Sequence, residues 1–118
     1  MLSIKEYDEI IRNHEEHSGK ANYEVLSSYS NLRCTKNELL DFAGNIWERN
    51  MDAVVAEIRR IGLKEFTISY AGTRLLEMLA DFEKRVIRVA GFRNIKTGHK
   101  DWETDEDETK PAILMKVE

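Results

Sequence analysis

The spacing of apolar side chains changes at Gly62, and that change constrains what the chain can fold into more than any other feature. Up to residue 61 the apolar positions return every third or fourth residue, the period of one helix face. Beyond it, Phe66-Thr67-Ile68-Ser69 alternates and Val86-Ile87-Arg88-Val89-Ala90-Gly91-Phe92 is rich in β-branched residues, as strands are. A chain that switches period in this way is expected to form an α+β domain, helices first and sheet after.

Three helices are predicted ahead of Gly62. Ser3 and Glu6 form a capping box, Ile4, Tyr7, Ile10 and Ile11 follow at helical spacing, and Gly19 can close the element, which gives a helix over about 4–17. Tyr23, Leu26, Tyr29 and Leu32 give a second over about 21–32, with serines that weaken it. Thr35 and Glu38 form another capping box, and the apolar series from Leu39 to Ile61 ends at Gly62, which gives a third over 35–62. At 1.5 Å per residue that helix would be roughly 40 Å long, close to the diameter of a small domain. It must be covered along its length, protrude toward a partner, or break near Gly44 or Asn50. Presentation of Trp47, Met51 or Val55 outside the core would favour a homodimer.

The second half reads as β-α-β-β. A strand at 66–69 leads to a helix with Leu75, Leu76, Leu79 and Phe82, for which Ser69 is a candidate cap. Strands follow at 86–92 and 111–117, with Pro111 at a strand start. The expected sheet is small, three-stranded and mixed, its first two strands parallel. Residues 1–118 are read as one domain, 1–62 helical and 64–118 β-α-β-β. The seventeen residues from Asn94 to Lys110 are long for a plain connection, so part of them should extend the last two strands into a hairpin with Trp102 packed along it.

Composition narrows the function classes. Hydrophobic residues are 42% and charged residues 34% of the chain, the balance of a folded domain rather than a disordered tail. The net charge of −4 has the wrong sign for a duplex-binding protein and makes nucleic acid an unexpected partner. A single cysteine, Cys34, allows no intrachain disulfide, and no apolar stretch suits a signal peptide or a membrane span. A cytoplasmic location is expected.

Candidate chemistry is thin. His14-Glu15-Glu16-His17 places two histidines three apart, not the four of a zinc signature, and reads equally as a polar helix end. Cys34 with His14, His17 or His99 would need convergence that no local motif supplies. No catalytic, cofactor or metal residue is assigned. Ser69, Thr73 and Arg74 lie where a strand feeds a helix N-terminus, a place that can hold an anion, although the phosphate-loop glycines and lysine are missing. Arg74 opposes the helix dipole there, and a bound anion or a neighbouring acid would relieve the conflict. Four consecutive acids, Asp105, Glu106, Asp107 and Glu108, stand close to Trp102. They read as a solvated loop that blunts a sheet edge, or as a surface that docks on a basic partner or imitates a phosphate backbone.

The segments Lys64-Glu65-Phe66-Thr67-Ile68-Ser69, Leu79-Ala80-Asp81-Phe82-Glu83-Lys84-Arg85, Asp101-Trp102 and Pro111-Ala112-Ile113-Leu114-Met115 resemble a family of small uncharacterised proteins from Gram-positive, often gut, bacteria and their mobile elements. The resemblance covers about the last 70 residues. It implies the strand, helix, strand and hairpin order just described and assigns no catalytic residue. The chain departs from the pattern at Val86, where a glycine would close the fourth helix. The function expected from these observations is that of a non-enzymatic protein-interaction or regulatory module. An acidic nucleic-acid mimic and a small anion- or ligand-binding protein or enzyme at Ser69–Arg74 stand as alternatives.

Overall fold

The computed structural model describes residues 37–118 and, ahead of them, Glu9, Val25, Ser28 and Thr35. The helices expected at 4–17 and 21–32 lie outside the described residues except at Glu9, Val25 and Ser28, which are helical. From residue 37 the order is β1 (Asp41–Phe42), α1 (Glu48–Arg60), β2 (Glu65–Ile68), α2 (Leu75–Glu83), β3 (Ile87–Lys100) and β4 (Asp107–Val117).

The expected helix over 35–62 is corrected to the thirteen residues of α1. Thr35 is not its cap, because Asn37–Leu40 are non-helical and a short strand follows. Tertiary context overrides periodicity at this point. The free edge of β2 recruits the segment, with the Thr67 N–H donating to the Leu40 carbonyl at 2.9 Å and the Ser69 N–H to that of Phe42 at 3.1 Å. Gly44 and Asn45, both weak helix formers, then separate strand from helix. Within α1 the three- and four-residue steps hold: Met51, Val54, Val55 and Ile58 are buried, so this face belongs to the core rather than to a dimer. Trp47 remains half exposed. Gly62, at φ 77°, ends α1 in a Schellman turn: Leu63 N–H donates to Ile58 O (3.1 Å) and Gly62 N–H to Arg59 O (3.2 Å).

Among the described residues the sheet has four strands, not three, in the order β1-β2-β4-β3. β1 pairs parallel to β2, while β2 and β3 both pair antiparallel to β4, which lies between them. β2 and β3 therefore run in the same direction, as the crossover predicts, but they do not pair with each other. The two-residue β1 carries too little pattern to be found without its partner. β3 and β4 reach further than the predicted strands because the stretch after Asn94 continues the ladder to Lys100 and Asp107.

Each face of the sheet has its own cover. On one face Phe66, Ile68, Ile87 and Met115 join the cluster formed by α1 and α2, with Phe66 edge-on to Phe42 and tilted against Phe82, each at 5.3 Å. On the other, Leu39, Ile95 and Ala112 are buried outside that cluster. The 37–40 segment crosses this second face, since Asn37 reaches Lys96 on β3 and Leu40 reaches Thr67 on β2.

Two expectations about the helix α2 meet different outcomes. Ser69 does not cap it: α2 begins at Leu75 without a side-chain cap, and the Ser69 hydroxyl donates instead to Asp41 at 2.6 Å. At its far end Val86 does what a glycine would do and takes φ 64°. Left-handed backbone costs a non-glycine residue about 1–2 kcal/mol. Neighbours hold the turn: the Arg59 guanidinium donates to Arg85 O at 2.7 Å, and Glu118 N–H donates to Val86 O at 3.1 Å.

Candidate functional site

The long β3–β4 hairpin ends in a turn of six residues, Asp101–Glu106, closed mainly by backbone geometry. Asp101 N–H donates to Glu106 O and Asp105 N–H to Asp101 O, both at 2.8 Å. The Asp101 carboxylate accepts from Glu103 N–H at 2.9 Å, an Asx turn. Asp105 takes φ 58°, a conformation that aspartate tolerates better than most residues.

This geometry lifts Trp102 away from the sheet. It is 88% exposed, so the expectation that it packs along the hairpin is corrected. The turn closes through the backbone and short polar side chains, so its closure does not call on the indole to pack. Around it stand Asp101, Glu103, Asp105, Glu106, Asp107 and Glu108, all exposed. Asp105 pairs with Lys100 at 4.0 Å and Asp107 with Lys96 at 3.7 Å, while Glu108 accepts from the Thr97 hydroxyl at 3.2 Å. Among the described residues Asp101, Glu103 and Glu106 make no ion pair. The tip thus presents one large aromatic ring inside a negative field.

Beside the stem of the same hairpin a hollow of about 330 Å³ opens, with Thr35, Asn37, Asp41 and Ala43 on one side and residues 95–99 on the other. Asp41, Lys96, His99 and Lys110 line it. The Asp41 carboxylate is fixed by the hydroxyls of Thr67 (2.7 Å) and Ser69 (2.6 Å). Lys110 is partly buried and, among the described residues, makes no ion pair. Sequence reasoning missed Asp41 because it lay within a predicted helix read for apolar period, and Lys110 because it lay at the end of the connection before the last predicted strand; nothing local marks either.

Ser69, Thr73 and Arg74 are placed apart in role. Ser69 serves Asp41 and Thr73 is exposed. The Arg74 side chain, only 16% exposed, lies 4.9 Å from the Trp47 ring and pairs with Glu77 (3.5 Å) and Asp81 (3.7 Å). Those two acids supply the relief that its position at the start of α2 requires. Cys34, His14 and His17 lie outside the described residues. Among the described residues no cluster of three His, Cys, Asp or Glu could hold a metal ion, and no helix is long and apolar enough to cross a membrane.

Comparison with known proteins adds one finding. A family model, that of a domain of unknown function (DUF7698), matches residues 24–117. The chain belongs to this family. The match begins well before the last 70 residues that carry the resemblance in sequence, so the family unit adds β1 to α1 and the later elements. No curated protein and no solved structure matches.

Proposed function

We propose that the protein is a non-enzymatic interaction module that docks on a basic surface of another protein through the tip of the β3–β4 hairpin. The observation that carries this reading is Trp102, 88% exposed on a turn whose backbone is already hydrogen-bonded. Tryptophan is among the commonest residues to dominate binding energy, and a turn organised beforehand loses little entropy when it docks. The surrounding carboxylates give the partner its sign: they would steer a basic patch toward the tip and hold the ring over an apolar slot within it.

The nucleic-acid-mimic reading uses the same carboxylates and differs only in the kind of protein engaged, a host or defence protein whose basic surface normally takes a phosphate backbone. The bacterial, mobile-element setting of the resembling sequences suits such a target. Capture of a partner from bacterial lysate should be lost in Trp102→Ala and in the charge-neutral variant Asp105→Asn, Glu106→Gln, Asp107→Asn, Glu108→Gln. Release of the captured partner by double-stranded DNA identifies mimicry, and retention identifies an ordinary protein dock. Capture unchanged in both variants overturns the reading.

A further inference from the structure

β3 is the edge of the sheet, and its two halves are treated differently. At Lys96 the outward backbone groups are closed by Asn37, which takes the Lys96 N–H at 2.8 Å and donates to its carbonyl at 2.9 Å. Backbone groups along a strand alternate in direction, so Phe92 and Asn94 present their N–H and C=O on the same outer side. Among the described residues nothing bonds them. An open edge is normally blunted by charge, proline or a covering segment. Here it carries Phe92 at 78% exposure and Val89 at 48%, with Leu76 of α2 at 79% nearby. Leu76, Leu79 and Val89 together line a hollow between α2 and β3.

We infer that this edge joins a second copy of the chain, β3 to β3 antiparallel about a two-fold axis, with Phe92 of each copy opposite Asn94 of the other. The outward groups of these two residues then close reciprocal hydrogen bonds across the axis. Phe92 faces the helix side, because it pairs with Ile113, which packs on the core. The axis brings the two Phe92 rings into diagonal reach and lays both α2 helices on the same side of the joined sheet.

Charge selects a second copy over an acidic or basic strand. Arg88, Arg93 and Lys96 along β3 already hold their own acids: Glu118 at 3.1 Å, Glu38 at 2.6 Å and Asp107 at 3.7 Å. Two such edges meet without an unmatched charge. Arg93 would face its symmetry mate on the opposite side of the sheet, but each brings Glu38, so the four charges balance. Asn37 limits the pairing to the stretch before Lys96, which keeps the contact short and the dimer of modest affinity.

Sedimentation or light scattering of the whole chain at about 100 μM should give twice the monomer mass, since small interfaces associate in the micromolar range. Phe92→Asp and Asn94→Pro should each restore the monomer mass, with circular dichroism unchanged. The Asn94 N–H faces away from β4, so proline there leaves the chain's own ladder intact. Trp102→Ala should leave the mass doubled, which separates this surface from the hairpin tip. In the unaltered chain, amide exchange at Phe92 and Asn94 should slow as concentration rises. A monomer at that concentration, a dimer that survives Asn94→Pro, or exchange independent of concentration would overturn the inference.

Discussion

The body of the sheet and the tip of its longest hairpin are built on opposite principles. In the body, side chains hold the backbone: Phe66 is fully buried between Phe42 and Phe82, and Asp41 ties β1 to the end of β2 through two hydroxyls. At the tip, mostly the backbone holds itself, and the largest side chain stands 88% exposed. The difference teaches where function has room. A residue whose removal would loosen the core is constrained by packing, whereas Trp102 is free of that duty.

Substitutions should separate the two regions by magnitude. Phe66→Ala removes a buried ring with two aromatic partners and should lower stability by about 3–5 kcal/mol in urea unfolding. A loss under about 1 kcal/mol would mean that the core relaxes around the gap and the contrast is false. Asp41→Ala removes the acceptor of the Ser69 hydroxyl and leaves that of Thr67 only the Leu40 carbonyl at 3.5 Å, and should lower stability by about 1–3 kcal/mol, with Asp41→Asn closer to wild type.

Val86→Gly should raise stability by up to about 1 kcal/mol, since the relief of left-handed strain slightly exceeds the entropy that glycine adds to the unfolded chain. Thermal melting checks the sign, and a lower melting temperature would show that the side chain of Val86 contributes more than its backbone loses. Smallest of all, Trp102→Ala should change stability by less than about 0.5 kcal/mol while abolishing partner capture. A large loss of stability there would place the indole in the fold after all.

The α+β class, α1 from Met51 onward, the close at Gly62, and the cores of β2, β3 and β4 were legible because each rests on a local period or a local stop signal. The departure at Val86 was legible too, as a missing glycine, although only the φ of 64° shows that the chain keeps the turn and accepts strain. The candidate site was half legible. Acidic residues beside a tryptophan can be seen in the sequence, but whether the ring packs or projects depends on where the turn closes.

By itself, then, the sequence determined which segments prefer helix and which prefer strand, and where the charge collects. Only the tertiary structure decided that residues 41–42 join the sheet, that β4 lies between β2 and β3, that Arg93 finds Glu38, and that one half of the β3 edge is closed by Asn37 while the other stays open. The physical reason is range. Periodicity, caps and turns act between residues a few positions apart, whereas strand order, edge closure and ion pairing join groups far apart in the chain, as Asn37 and Lys96 are, fifty-nine residues from each other.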